Sequence, residues 1–425
     1  VARWITGLFV AALLVLGLLA LGRPEGQREP VVPPPPAPAA PTVLPAAERL
    51  TALAPRFVAI RHSTSDGGLA EGLARALGKD VLVTLGDPLE AAAAVRGALQ
   101  DERPEMRWVA LLLVGFHGPA DDALLRTLDE ALAPGAPTWL RQAAALAVPY
   151  VEAPAWGPLL DTLATAARDD DVELRRRAMR ALAEGLRERE EPLALLLEGL
   201  TDPDGVVREG AVHGLAQVEW AERLGPDARR GIVEALLPAL ADEREGVALY
   251  AAMALGRTGE AMAPAIPALI EALGDERALL RGNAASALSQ GGDAAREALA
   301  AALADDRGER ADMLTWALRL MGEEAVPILR EATARPIARV AVHAALRLWE
   351  VDHDDAAAVE RLVAHLGSDD DLALLQAVRG LGRIGPAARS ALPALAGVEA
   401  RLDAFPENRD LLERALAGTR AQLGP

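Results

Sequence analysis

The chain has 425 residues, 51% of them hydrophobic and only 3% aromatic, so it can bury a continuous core but lacks the aromatic side chains that sheets favour. Its formal net charge of -18 repels phosphate and counts against a nucleic-acid partner. It contains no cysteine, which excludes disulfides, thiolate catalysis and Cys-ligated metals.

Residues 1–23 are expected to form an N-terminal transmembrane signal-anchor. Residues 4–22 carry no charge, and at about 1.5 Å per residue they would span roughly 28 Å as a helix, close to a bilayer core. A cleaved signal peptide is the alternative, because Ala20-Leu21-Gly22 offers small residues at a cleavage site. Arg23-Pro24 directly after that site argues against cleavage. The expected localisation is single-pass membrane. Arg3 on one side and Arg23 and Arg28 on the other nearly balance. The soluble part is placed outside the cytoplasm, because a short N-terminal tail before a large exported domain is the commoner arrangement. Residues 24–46 hold four consecutive prolines at 33–36 and read as an extended polyproline spacer. Residues 47–87 read as an N-terminal cap. Helices are expected at 46–54 and 69–77, with a loop at 62–68 between them.

Residues 88–400 repeat a short phrase. An Asp closes one apolar run, and six residues later an Arg sits in the first turn of the next. The instances are Asp101 and Arg107, Asp169 and Arg175, Asp202 and Arg208, and Asp275 and Arg281, with a looser copy at Gly135 and Arg141. Anchors at 101, 135, 169 and 202 lie 34, 34 and 33 residues apart, a period that marks stacked helix pairs. In the copy around Asp202-Pro203-Asp204-Gly205, the turn Asp is suited to accept from the free N–H groups of the second helix. Val207, Ala211 and Leu215 then recur every four residues on one face. Arg208 is placed to reach the turn Asp of a neighbouring repeat. A second phrase, as in Gly385-Pro386, joins repeats: Gly ends one helix and Pro opens the next. Residues 401–425 are expected to be a C-terminal cap helix.

These phrases resemble HEAT repeats, and in particular the bacterial HEAT-like class also found in phycocyanobilin lyases. The resemblance covers about residues 88–400 in roughly nine units. It implies an all-α fold, a HEAT-like α-α superhelix of antiparallel pairs with first helices on the convex side and second helices on the concave side. It also implies that Asp101, Arg107, Asp169, Arg175, Asp202, Arg208, Asp275 and Arg281 form a ladder between repeats. The pattern breaks at Ala248 and Ala311, where Arg is missing after Asp242 and Asp305. Those turns need another partner.

Little in the chain suggests turnover. His353, Asp354, Asp355, His365 and the Asp369–Asp371 run are the one grouping that hints at a metal, and they sit where helix caps are expected. His62, Ser63 and Asp66 are triad residue types strung along one loop, without a nucleophile elbow. Gly67-Gly68 is no phosphate loop. Arg175, Arg176, Arg177 and Arg180 form a basic patch amid many carboxylates. Trp108, Trp139, Trp156, Trp220, Trp316 and Trp349 read as packing residues. No catalytic, cofactor-binding or metal residue is assigned. The expected function is a membrane-anchored, non-catalytic scaffold for a protein or peptide partner of basic or mixed charge. Residues 4–22 would meet the membrane, and no small-molecule substrate is expected. Glu209, His213 and Gln217 are the candidate partner-binding residues. The alternatives are a tetrapyrrole (phycobilin) lyase or isomerase, as the resemblance permits, and a structural envelope protein.

Overall fold

A computed structural model describes residues 46–52, 54–56, 59, 88–117, 122–150, 157, 159–186, 190–217 and 224–424. The chain divides into two units, Val1–Leu44 and Pro45–Pro425, and all that follows concerns the second. Single-pass membrane localisation is not supported: no helix among the described residues is long and apolar enough to cross a membrane. The anchor at 4–22, the Pro-rich spacer up to residue 45 and the loop at 62–68 with its His62, Ser63 and Asp66 lie outside the described residues.

Every regular element among the described residues is helical. Helix α1 (Ala46–Ala52) packs on α2 (Pro88–Leu99), which pairs with α3 (Pro104–His117). The next pairs are α4 (Asp122–Leu132) with α5 (Thr138–Ala147), α6 (Leu160–Ala166) with α7 (Val172–Gly185), and α8 (Pro192–Gly199) with α9 (Gly205–Gln217). They continue as α10 (Pro226–Leu236) with α11 (Glu245–Arg257), α12 (Ile266–Ala272) with α13 (Ala278–Leu288), and α14 (Gly292–Asp305) with α15 (Ala311–Leu320). The last three are α16 (Val326–Ala332) with α17 (Ala338–Asp352), α18 (Asp355–Ala364) with α19 (Asp371–Ile384), and α20 (Leu392–Glu399) with α21 (Arg409–Leu423). Each second helix packs on the second helix of the next pair, from α3 through α21, so these helices form one unbroken layer.

The Ala-rich composition explains this stacking. Small residues let second helices approach closely without large interlocking side chains. A methyl group on Gly214 of α9 would lie 2.3 Å from the Ala183 methyl of α7, and one on Gly256 would lie 3.0 Å from the Ala287 backbone. Inside the layer, Val207, Ala211, Val212 and Leu215 of α9 are fully buried. Helix α17 joins two parts of the core. Its Val340, Ala344 and Leu348 pack towards the preceding repeats, and Val342, Ala345 and Leu346 pack towards the following ones. Trp108 is buried and meets Trp139 edge to face at 6.3 Å, whereas Trp156 and Trp220 lie outside the described residues.

The repeat turns differ from expectation in one detail. The Asp of the repeated phrase does not cap the second helix. It closes its own turn by accepting from the N–H two residues on: Asp204 N to Asp202 Oδ1 at 2.8 Å, and Arg277 N to Asp275 Oδ1 at 2.8 Å. Where an acidic residue stands two positions on it takes the cap, as where Asp171 accepts from Leu174 N at 2.7 Å, while Arg244 and Arg277 at that position make no side-chain cap. From α11 onward the chain turns through positive φ just after second helices, at Gly259, Gly292, Gly322 and Gly385, whereas α5 and α7 end in right-handed residues. His353 takes the same left-handed conformation without being glycine (φ 53). Asp354 caps α18 through Ala357 N, and Asp370 caps α19 through Ala373 N, each at 3.0 Å.

Candidate functional site

One edge of the second-helix layer is held by arginine–aspartate forks between repeats. Arg141 Nη1 meets Asp169 Oδ2 at 2.6 Å, and Arg175 Nε meets Asp202 Oδ2 at 2.8 Å. Arg208 grips Asp242 with Nε at 2.7 Å and Nη2 at 3.0 Å. The third guanidinium nitrogen of Arg175 and Arg208 donates to the carbonyl of its own turn, at Asp169 and Asp202, at 2.8 and 2.9 Å. Each fork therefore ties the Arg to its own turn and to the next. Burial pushes the Asp242 carboxyl up, but Arg208 and the Arg244 N–H outweigh it and leave the group below its usual range.

The remaining members of the phrase behave differently. One period on from Asp101 the sequence has Gly135 rather than an Asp, and Arg107 Nε is buried without a hydrogen-bond partner among the described residues. Asp101 is instead gripped by Arg103 within its own turn, at 2.8 and 2.6 Å. Arg281 donates to its own turn carbonyls, at Asp275 (2.8 Å) and Glu276 (3.0 Å). After Asp242, where Ala248 replaces the Arg, Arg277 fills the gap. It forks Asp275 at 2.8 Å and donates to the Asp242 carbonyl at 3.0 Å. In the α14–α15 turn the carboxylate is Asp306, which accepts from Gly308 N at 2.9 Å, rather than Asp305.

The face of the layer carries two different charge environments. Across α15, α17 and α19 the charges are matched. Asp312 meets His343 at 3.2 Å and Arg347 at 2.7 Å, and Arg347 also donates to Glu350, which pairs with Arg383. The hydrogen bond from His343, against the penalty of burial and with help from Arg347, holds the Asp312 carboxyl far below the usual range. Trp349 is fixed here, donating Nε1–H to Asp355 at 2.8 Å beneath the Arg383 guanidinium.

Across α5, α7, α9 and α11 the face is grooved, and one guanidinium, that of Arg180, stands outside the ion pairs of the groove's walls among the described residues. Two adjoining depressions, of about 280 and 360 Å³, share Arg176 and Arg180 of α7. The first is walled by Leu146, Tyr150, Arg177 and Glu184, the second by Glu209, His213, Arg244 and Tyr250. Arg176 and Arg177 both bond to one carboxylate, Glu173. Glu209 is paired with Arg244. Arg180 is exposed and makes no ion pair among the described residues. His213 stacks its edge against Tyr250 at 4.6 Å, and Gln217 lies 3.5 Å from its Nε2. Burial, then the positive charge of Arg180, pushes the His213 pKa down, so the ring favours its neutral form.

The sequence candidates Glu209, His213 and Gln217 thus lie along α9, and the structure brings Glu209 and His213 to the second depression. It adds Arg176, Arg180, Tyr150 and Tyr250 from neighbouring repeats. The signal available in the sequence was the Arg-rich start of α7 and the fact that the chain has just two tyrosines, both in this groove.

Residues 159–228 and 233–319 match the family model of HEAT repeats. These two stretches resemble HEAT repeats. They include α7, α9 and α11, which form most of the groove. No curated protein matches the chain. Among solved structures, importin beta in an ammonium sulfate condition aligns with a TM-score of 0.54 at 13% identity, over 88% of this chain and 57% of that one. A structure of Kap95p binding RanGDP aligns with a TM-score of 0.52 at 14% identity, over 88% of this chain and 56% of that one. The chain spans a little over half the length of these solenoids, and at such identity the likeness establishes the fold: a HEAT-like helical solenoid.

Proposed function

We propose that the protein is a HEAT-repeat scaffold that holds a protein or peptide partner on its second-helix face and carries out no turnover of its own. The groove across α5, α7, α9 and α11 carries this reading. It is assembled from four consecutive repeats, it is lined by side chains suited to recognition, and its walls are fixed by the forks along the layer's edge. Kap95p, a solenoid of similar fold, binds RanGDP. A stacked array suits this role, because each repeat adds a strip of surface and a long partner can be read in pieces. The forks keep those strips in register, which lowers the ordering cost of binding.

The test is site-specific photo-cross-linking in cells. A cross-linking residue in place of Gln217 on α9 is expected to capture a partner in near-constant ratio. One in place of exposed Glu234 on the first helix α10 is expected to capture none. Capture from position 234 with none from 217 would overturn the proposed face.

A further inference from the structure

The lining of the groove runs against the charge of the chain. The protein carries -18 overall, yet the charged side chains around the two depressions are Arg176, Arg177, Arg180 and Arg244 against Glu184 and Glu209. The pairing sharpens the imbalance. Arg244 and Glu209 pair, Arg176 and Arg177 both bond to Glu173, and Arg180 makes no ion pair among the described residues, with Glu184 one turn along the same helix, so four guanidiniums face the three carboxylates of Glu173, Glu184 and Glu209. An excess of guanidinium therefore sits where the two depressions meet. Beside it, Tyr150 is 54% exposed, and Tyr250 closes the opposite side against His213.

From this we infer that the groove selects an extended acidic segment of its partner, with a carboxylate forked on Arg180, the Glu173-bound Arg176 beside it, and apolar side chains against Tyr150 and Tyr250. The inference rests on the partner-binding role proposed above and names the chemistry it would recognise. Guanidinium groups favour carboxylates because the planar fork matches two oxygens at once. Tyrosine offers a broad apolar wall at little entropic cost. Four second helices at about 8–10 Å spacing give roughly 24–30 Å of groove, the reach of about eight extended residues at about 3.3 Å each. The net charge of -18 on the chain as a whole disfavours an acidic partner elsewhere and so serves selectivity. Overall acidity points to a basic or mixed-charge partner. The groove's own lining points to an acidic stretch within it.

The experiment is fluorescence anisotropy on the full-length chain with three labelled probes. They are an eight-residue peptide of alternating Glu and Leu, its Lys-for-Glu counterpart, and a single-stranded oligonucleotide of equal negative charge. The Glu peptide is expected to bind, and to weaken as salt rises from about 50 to about 300 mM. Arg180→Glu and Arg176→Glu are each expected to weaken it by about tenfold or more. Arg379→Glu, at an exposed position of α19, leaves it unchanged and controls for net charge. Circular dichroism confirms folding, and Arg180→Gln gives a milder second variant that needs only an intermediate loss. Tighter binding of the Lys peptide or of the oligonucleotide, or equal loss with Arg379→Glu, overturns the inference. If cross-linking at position 217 still captures a partner while the Glu peptide fails to bind, the acidic-segment inference falls and the scaffold reading stands. Loss of both removes the groove as a site.

Discussion

Arg277 donates to the Asp242 carbonyl at 3.0 Å, the bond that Arg175 and Arg208 make to the turn carbonyls of their own repeats. With its other nitrogens it forks Asp275, which is the carboxylate an arginine at 248 would grip. One side chain thus closes the rung from the opposite end. The direction of the ladder reverses at this repeat while the contacts are kept. Asp242 is the junction: its carboxylate takes Arg208 from the preceding repeat, and its carbonyl takes Arg277 from the following one.

This reversal predicts a coupled pair of substitutions. Ala248 is fully buried, so Ala248→Arg alone sends a second guanidinium towards a site already filled and should destabilise by about 1–3 kcal/mol. Arg277→Ala alone empties the site and should also destabilise. The double variant restores a forward fork, so its loss should be smaller than the sum of the two. Urea unfolding of the four proteins measures the coupling, and simple additivity would refute the shared site.

The forward forks should govern local rather than only global stability. Arg208 and Asp242 are 15% and 11% exposed, between the surface and the interior. Arg208→Met leaves Asp242 without its main counter-charge and should cost about 2 kcal/mol. Hydrogen exchange is the direct measurement. Protection should fall first in α9 and α11, and much less in α19, because contacts in a solenoid pass only between neighbours.

Acid should loosen the same edge. The fork from Arg277, against a smaller penalty of burial, holds Asp275 at about 2, down from 3.8. A carboxyl whose folded pKa is depressed stabilises the fold above its unfolded pKa, and that contribution disappears as pH falls through the two values. The melting temperature should therefore drop between about pH 4 and about pH 2, and Asp275→Asn should drop less over that window while starting lower at neutral pH. An identical pH profile in the variant would remove Asp275 from the acid response.

Two glycine-to-alanine exchanges should have opposite signs. At Gly214 the new methyl would sit 2.3 Å from the Ala183 methyl of the adjacent second helix, so Gly214→Ala should force the helices apart and cost about 1–3 kcal/mol. At Gly231, inside α10, nothing lies within 4 Å, and Gly231→Ala should gain about 0.5–1 kcal/mol from reduced freedom of the unfolded chain. Thermal unfolding of both variants is sufficient.

What the sequence determined by itself was periodic. The helix pairs spaced 33 or 34 residues apart between residues 101 and 202 follow from the recurrence of Asp, Arg and apolar Ala and Leu, because each is set by contacts a few residues away or one period away. Glu209, His213 and Gln217 share a helix face for the same local reason, four residues to a step. Tertiary structure decided what depends on side-chain reach across repeats. Arg277 and Arg103 look like solvated turn residues in the sequence, since a guanidinium two residues from an Asp can as well point to water. Only the stacked neighbour shows that Arg277 replaces the arginine missing at 248. The turn at His353 shows the same limit: a non-glycine residue adopts positive φ there because the packed helices on both sides dictate the path. The groove is the clearest case. Tyr150 and Tyr250 stand 100 residues apart, and Arg176 and Arg180 lie between them, in a chain whose total charge gives no hint of a basic surface. Charge summed over the sequence ignores position, whereas recognition depends on which few charges the stacked helices leave unpaired side by side.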